Sequence, residues 1–369
     1  MNSMNKRILK QLLVLTTAIF VVLNLTCCST DTPQRAVKRE LDLIKELDET
    51  TIKAFISYED MMNSSSKSSD IGAETTEAVK LFFKNFDYKI KGTTITDNSA
   101  IVRADITNVD THALARDVCL ALVQQTTGAV SDPEMTLNSY FKLLRDVLSK
   151  NTYDLVTNEA EIELLHTDDG WLIQNTDQLE DDLVSGFITY LKDPYLVSPE
   201  EMITVVLEGL MEKTPKEWKS YLNMNDIFST YSSNCEQTDD ALAEQLSKYV
   251  SYRICSVTED KDSKSAQASI LITSLDLESV LQRYQELLMD YASTTESVRA
   301  SSTELADETA LLLAQALREN TDTIDTKVQI DFINNGSTWE MQLNEDFTNA
   351  LLGNASAAIE AFQNESDGS

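Results

Sequence analysis

Histidine, cysteine, glycine and proline are all scarce in this chain of 369 residues, which contains 2, 5, 9 and 5 of them respectively. Two histidines are too few for an ordinary zinc centre, and Cys119, Cys235 and Cys255 do not have the spacing of metal ligands. There is no glycine-rich phosphate loop and no nucleophile elbow. The sequence therefore predicts no metal, no cofactor and no enzymatic activity. Cys235 and Cys255 either pair in an oxidising compartment or stay as thiols.

Basic residues are also few, since 30 Lys and Arg stand against 61 Asp and Glu, for a net charge of −31. A surface of this sign repels phosphate backbones, so the composition excludes nucleic acid as a partner. Acidic side chains also keep the outer faces of helices and strands solvated, and this role accounts for most of the charge without any ligand.

The apolar run at 12–25 is too short for a permanent membrane span, because a helix needs about 20 residues to cross the hydrocarbon core. It follows Lys6, Arg7 and Lys10, and no acidic residue precedes it. A basic start followed by a short apolar stretch is typical of a secretory signal peptide. We therefore expect residues 1–27 to be a signal peptide.

The apolar run ends at Leu25, three residues before Cys28. This arrangement resembles the lipobox of bacterial lipoproteins, although Cys27 stands where that family usually has Gly, Ala or Ser. The resemblance implies that Cys28 carries the diacylglycerol and palmitate groups and becomes the N-terminus. Residues 28–32 would then tether the chain to the extracellular side of the cell membrane. The alternative is an ordinary signal peptide followed by two incidental cysteines.

The rest of the chain contains an internal repeat. Pro33 matches Pro199, and the same spacing matches Leu41 with Leu207, while two later blocks match in the same order. Three blocks in one order indicate a tandem duplication. The predicted organisation is a first α+β domain at 33–193, a linker at 194–197, a second α+β domain at 198–363 and a disordered tail at 364–369.

Each copy has the same pattern of elements. Pro33 and Pro199 suit the first position of a helix, because proline lacks the N–H that such a position leaves unbonded. Strand-like alternation and two helical segments follow, and then a hairpin of strands. A final helix is predicted from apolar residues spaced by four, Leu179 to Leu191 in one copy and Phe347 to Ile359 in the other. The fold class is therefore α+β.

The Tyr88 strand and the Gly170-Trp171 hairpin, repeated in both halves, look like the cystatin-like, nuclear-transport-factor-2-like domains of Gram-positive lipoproteins of unknown function. The resemblance implies two tandem domains. Each would be a curved antiparallel sheet packed on helices, with a helical hairpin between its two strand pairs. That superfamily contains ketosteroid isomerase and scytalone dehydratase beside many non-catalytic modules, so fold alone does not assign a function.

The predicted inward faces of the strands are apolar, whereas an enzyme of this kind needs a carboxylate and a hydrogen-bonding partner there. Tyr88 and Tyr252 are the best polar candidates for a pocket, and burial in the core is the alternative for both. Trp171 and Trp339 open the last strand of each copy. They either fill a corner of the core or stack on a ligand.

Arg35, Lys38 and Arg39 cluster within reach of the predicted anchor. Each cation close to an anionic leaflet contributes on the order of 1 kcal/mol, so we expect them to contact the membrane. The alternative is that they are solvated helix residues. Taken together, the sequence predicts a non-enzymatic, membrane-tethered binding or scaffolding protein for another envelope protein or a small ligand. A small-molecule hydrolase or isomerase with a cone-shaped pocket, and a structural spacer, are the alternatives.

Overall fold

A computed structural model describes residues 32–47, 73–127, 137–222 and 235–367. The signal peptide, Cys28 and almost all of the tether lie outside this range. The chain divides into two compact units. Of the described residues, the first unit holds most of those up to Val197, and the second holds most of those from Ser198 onward.

The first unit contains one antiparallel sheet of four strands in the order β1-β2-β3-β4, with helices before, between and after the strand pairs. Its described elements are α1 Pro33–Lys45, α2 Ala73–Phe82, β1 Asp87–Thr96, β2 Ser99–Val109, α3 Thr111–Thr127, α4 Leu137–Lys150, β3 Leu155–Thr167, β4 Gly170–Ile173, α5 Asp177–Leu183 and α6 Phe187–Lys192.

The second unit has a sheet of the same strand order, β5-β6-β7-β8, again antiparallel throughout. Its described elements are α7 Pro199–Met211, α8 Pro215–Tyr221, α9 Cys235–Tyr249, β5 Ser251–Asp260, β6 Ser265–Leu275, α10 Leu277–Ala292, α11 Thr295–Arg299, α12 Ser302–Glu319, β7 Thr323–Asn334, β8 Trp339–Gln342, α13 Glu345–Leu351 and α14 Ala355–Asp367. The α+β class predicted from the sequence is confirmed.

Helices α1 and α7 begin where the sequence predicts. The Thr32 hydroxyl accepts a hydrogen bond from the Arg35 amide, and Pro33 follows it at the first helical position. Ser198 and Glu201 form a complete capping box ahead of α7. These side chains satisfy amides that a helix N-terminus otherwise leaves without a partner.

The sheets bury the faces that alternation predicts. In β2, residues Ala100, Val102, Ala104 and Ile106 are all buried, and Ala160, Ile162 and Leu164 of β3 lie on the same face. The outward positions carry polar pairs such as Arg103 and Glu161, whose Nε and Oε1 atoms lie 3.0 Å apart. The second sheet likewise has one buried apolar face and one exposed face. Its buried face is formed by Ala266, Ala268, Ile270, Ile272, Val328, Ile330 and Phe332.

Strands β1 and β5, the first strands of the two sheets, have a pairing irregularity at corresponding positions. The pairing of β1 with β2 shifts register between Ile90 and Gly92, and that of β5 with β6 shifts between Ile254 and Ser256. Each shift adds one residue to the outer strand, which is the arrangement of a β-bulge.

The single helix predicted at the end of each copy is wrong, because both are broken into two. Ser185 and Gly186 have φ of 54° and 83°, and Gly353 and Asn354 have φ of 70° and 57°. Two successive residues in the left-handed region cannot continue a right-handed helix, so α5 and α13 end before them. Apolar residues continue at a spacing of four across each break, so the sequence pattern does not reveal it.

A buried hydroxyl stabilises each break. The Thr111 Oγ1 donates to the Ser185 carbonyl at 2.5 Å, and the Ser274 Oγ donates to the Leu351 carbonyl at 2.6 Å. Carbonyl groups near the end of α5 and α13, which have no partner within the helix, therefore accept hydrogen bonds from hydroxyl groups. The donor lies at the start of α3 in the first unit and in β6 in the second.

The helices between the strand pairs pack differently in the two units. In the second unit α10 and α12 pack against each other, as the predicted helical hairpin requires. Helix α12 packs at least as closely against α9, and the matching contact in the first unit is that of α4 with α2; a comparable contact of α4 with α3 is not found among the described residues. The two helices predicted there exist, but they do not form the same close pair.

Candidate functional site

Tyr88 lies at the seam between α1 and β1. Its hydroxyl donates to Asp42 Oδ1 at 2.5 Å, and Lys38 Nζ donates to Asp42 Oδ2 at 3.0 Å. The Tyr88 hydrogen bond lowers the pKa of Asp42, and burial together with the Asp42 charge raises the pKa of Tyr88. Tyr88 therefore joins a helix to a strand.

Tyr252 occupies the related place in the second unit. It is half-buried on β5, and burial raises its pKa, with a further contribution from the charge of Glu208. Neither tyrosine lines either of the two cavities described beside α1.

The two tryptophans have different surroundings. Trp339 is 1% exposed and belongs to the core of the second unit. Trp171 is half-buried, and its ring meets that of His166 edge-to-face at 4.9 Å across the β3–β4 pair. The burial of Trp339 agrees with core packing, whereas for the half-buried Trp171 both core packing and ligand stacking stay as predictions.

The three cations predicted to contact a membrane all lie on α1. Lys38 is paired with Asp42, and Arg39 places both Nε and Nη2 on Glu40 Oε1, at 2.8 and 2.6 Å. Arg35 is exposed. Two of the three charges are therefore balanced by carboxylates of the same helix. Contact with a membrane stays a prediction.

Glu40 is the functional candidate that the sequence did not reveal. It is 4% exposed, and its Oε2 atom has no hydrogen-bond partner among the described residues. Burial raises its pKa, while the hydrogen bonds and charge of Arg39 oppose the shift. One signal was present, because Glu40 falls three residues after Val37 and four before Ile44, on the apolar face of the helix.

Glu40 lines a narrow space between α1 and the sheet, which we call the α1 slit. The slit has about 230 Å³ of space free of atoms, its mouth included, but its inner part admits only about one water molecule. Glu40 is its one ionisable lining residue. The others are Val37, Leu41, Ile44, Ile162, Ile173, Leu179 and Leu183.

The two cysteines whose side chains are described lie in opposite environments. Burial raises the pKa of Cys119 to about 12, so its thiol stays protonated. Cys255 is an exposed free thiol at the bulge of β5. The side chain of Cys235 lies outside the described part of the chain. Within the described ranges no three His, Cys, Asp or Glu residues come together as a metal site would require.

Within residues 32–47, 73–127, 137–222 and 235–367, no helix has the length and apolar character needed to cross a membrane. No family model matches the chain, and no curated protein matches it. A crystal structure of a candidate lipoprotein (ycdA) from Bacillus subtilis is 11% identical, covering 73% of this chain and 94% of that one, with a TM-score of 0.26. A superposition this weak carries no argument about fold or function.

Proposed function

We propose that this chain is a non-enzymatic lipoprotein, tethered through Cys28 to the extracellular side of the cell membrane, that binds or scaffolds an envelope protein or a small ligand. The observation that carries the proposal is the basic and apolar leader that ends at Leu25 and Cys28. A lipid-modified cysteine at that position would hold the first unit beside the membrane, because α1 begins at Pro33.

The non-enzymatic part of the proposal is supported by the two sheets. Their inward faces are filled by aliphatic and aromatic side chains, and Tyr88 bonds a helix to a strand instead of lining a cleft. Acid–base catalysis needs a positioned donor or acceptor beside the substrate. The α1 slit supplies one carboxyl group with no second ionisable residue in its lining.

The finer family assignment, two tandem cystatin-like domains, is also a proposal. It is supported by the matched sequence blocks, by the common strand order and by bulges at corresponding positions of β1 and β5. The broken final helix, with two left-handed residues in each copy, supports the same duplication.

One observation favours the hydrolase or isomerase alternative, and it is the buried carboxyl of Glu40. A carboxyl group with a raised pKa in an apolar site is the usual form of an enzymatic acid or base. A substrate would have to widen the slit to reach it, because the inner part admits about one water molecule.

Metabolic labelling with an alkyne analogue of palmitate tests the anchor. Cells expressing the wild-type chain should give a labelled protein in the membrane fraction, degraded when intact protoplasts are treated with protease. Cys28→Ser should lose both the label and the membrane association, and the matched control Cys27→Ser should keep them. Label retained by Cys28→Ser would overturn the anchor, and resistance to protease would overturn the extracellular orientation.

Chemical crosslinking in native membranes tests the scaffolding role. Discrete crosslinked species that depend on Cys28 would support it. Uniformly monomeric protein at every crosslinker length would favour the structural spacer.

A further inference from the structure

The outer side of β3 is unpaired over much of its length. Strand β3 spans Leu155–Thr167, but β4 pairs only with its residues 164–167. One further bond follows, from the Gln174 amide to the Glu163 carbonyl at 2.7 Å. Along residues 155–161, no described residue bonds to the backbone on this side, which leaves about 23 Å of strand open at roughly 3.3 Å per residue. We call this segment the β3 edge.

The backbone groups of the β3 edge point away from the sheet. The His166 amide donates to the Asn98 carbonyl on the β2 side, whereas the bond from Gln174 to Glu163 lies on the other side. Because successive residues of a strand alternate in the direction of their hydrogen bonds, the odd-numbered residues of β3 bond towards the free side. Four residues therefore direct their N–H and C=O groups to the β3 edge: Leu155, Thr157, Glu159 and Glu161.

The β3 edge is open to solvent. Residues 155–159 are all exposed, and Leu155 and Val156, on opposite faces of the sheet, are 55% and 37% exposed. Helix α5 packs on the buried face of β3, where Leu179 and Ile162 line the same slit. The strand contains no proline or lysine and pairs with β2 without a register shift. It therefore lacks the usual features by which native sheets block the addition of a strand.

The matching edge of the second unit differs. The register of the two sheets places Lys327 of β7 where β3 has Glu159, and lysine on an edge strand hinders strand addition. The Asn344 side chain also donates to the Gln329 carbonyl at 3.1 Å, so one acceptor of that edge is occupied. Strand β7 is therefore an internal reference for the β3 edge.

The charges beside the β3 edge limit its partner. Glu159, Glu161 and Glu163 lie on one exposed face at every second position. Glu161 is paired with Arg103, whereas Glu159 and Glu163 form no salt bridge with a described residue. A second copy of this chain would bring the same carboxylates side by side, and like charges across a strand pair are unfavourable. A strand with lysine or arginine at alternate positions complements them instead.

We infer that the β3 edge binds an extended, basic segment of another envelope protein as an added strand. The free main-chain groups of β3 bond to that segment and supply the affinity, while Glu159 and Glu163 select cations at alternate positions. This inference rests on the proposed binding or scaffolding role, and it names the kind of partner.

Synthetic peptides test the edge on the full chain. The first has seven residues of alternating valine and lysine with blocked termini. The second has the same sequence with every backbone amide N-methylated, which keeps the charge and removes the main-chain donors. Fluorescence anisotropy should show at least roughly tenfold tighter binding of the first, since main-chain bonds supply the affinity of strand addition. A peptide of alternating valine and glutamate should not bind.

Hydrogen–deuterium exchange locates the bound peptide. The valine–lysine peptide should slow amide exchange in residues 155–161, while residues 323–329 of β7 should exchange at an unchanged rate. Equal affinity of the plain and N-methylated peptides, or protection only in other parts of the chain, would mean that charge alone attracts the peptide. Either result would overturn the inference.

Two variants change different features of the edge. Thr157→Pro removes an edge donor at a position where an edge strand tolerates proline, and Glu159→Lys gives β3 the lysine of β7 without altering the backbone. Each should weaken binding about tenfold. Asp325→Pro and Asp325→Lys are the matched controls, because Asp325 has the place of Thr157 in the other copy, and they should leave the affinity unchanged. Binding retained in Glu159→Lys and in folded Thr157→Pro would overturn the site.

The same variants separate this inference from the rest of the proposed function. Crosslinks in native membranes that depend on Cys28 but persist in both β3 variants would leave the scaffolding role and overturn the β3 edge alone. A dimer found by sedimentation velocity and lost in Thr157→Pro would assign the edge to a second copy and overturn the basic partner. Failure of the anchor is a separate result, because palmitate labelling at Cys28 does not depend on β3.

Discussion

The hydroxyl of Tyr88 and Oδ1 of Asp42 lie 2.5 Å apart, so that a strand residue and a helix residue separated by 46 positions share one hydrogen bond. Lys45 and Asp87 join the same two elements at 2.6 Å. These polar contacts hold α1 against β1 along the rim of the first unit, beside the buried contacts of Val37 and Leu41.

Replacing Tyr88 by Phe removes this bond and should lower the free energy of unfolding by about 1 kcal/mol. Tyr252→Phe is the matched control, because Tyr252 has no such bond to a carboxylate among the described residues, and it should change stability by less. Urea unfolding followed by circular dichroism measures both. Equal effects would mean that the Tyr88 bond does not contribute. Because that bond lowers the pKa of Asp42, its contribution is present above the ordinary Asp pKa and is lost as pH falls through the lowered value.

Arg39 and Glu40 should behave as a unit. Arg39→Val leaves the buried carboxylate without its partner and should cost about 2 kcal/mol, below the range for fully buried pairs because Arg39 is partly exposed. The double variant Arg39→Val with Glu40→Val reproduces the second unit and should be at least as stable as wild type. A double variant less stable than wild type would show that the pair stabilises the fold.

Glu40 should also make stability depend on pH. Its pKa is raised in the folded protein, so the folded state holds the proton more tightly than the unfolded chain. Stability from this group is therefore fully present below the unfolded Glu pKa of about 4.3 and is lost as pH rises through the folded value. Glu40→Gln should flatten this part of the profile, measured as the free energy of unfolding from about pH 4 upward. A profile unchanged by the substitution would contradict the assignment.

Gly353 should tolerate no side chain. A Cβ there would lie 2.1 Å from the Leu275 carbonyl oxygen, and φ is 70°. Gly353→Ala should therefore destabilise the second unit by more than about 3 kcal/mol, since both overlap and strain contribute. Gly336→Ala is the control, because φ is 85° but nothing lies within 4 Å, and it should cost only about 1 kcal/mol. Thermal denaturation distinguishes the two.

Thiol labelling should distinguish Cys119 from Cys255 by their rates of modification. A maleimide reagent at neutral pH should modify Cys255 within minutes in the folded chain, whereas Cys119 should react only after unfolding, because burial keeps its thiol protonated. Peptide mapping by mass spectrometry gives the extent of maleimide modification at each cysteine. Cys255→Ser should abolish the fast phase at that peptide, and fast modification of Cys119 in native protein would show that α3 opens readily.

Membrane contact by α1 is testable without the lipid. The chain from Ser29 should bind anionic vesicles weakly at low salt and ignore neutral ones, and changing Arg35, Lys38 and Arg39 to Gln should abolish the binding. Since Lys38 and Arg39 are already paired with carboxylates, the expected affinity is low. Binding that survives the triple change would exclude the orienting role.

Local rules predicted much of the fold. Proline after Thr32 and Ser198 located two helix starts, and alternation located the buried faces of both sheets. The breaks near Gly186 and Gly353 were missed because apolar spacing of four continues across them, although each glycine was a visible signal. Glu40 was missed although it falls on the apolar face of α1, because a charged residue beside Arg39 on a helix is usually solvated. Its burial depends on β3 and β4, which are more than a hundred residues away in sequence.

The bulges in β1 and β5 have a consequence for chains crowded on one surface. Each of these strands is the outer strand of its sheet, and the extra residue near Gly92 or Ser256 breaks the even row of N–H and C=O groups along it. A strand from a neighbouring copy could not extend the ladder past that point, which is how native sheets avoid joining edge to edge. At the β1 and β5 edges, crowding of the chains would therefore not join one sheet to the next.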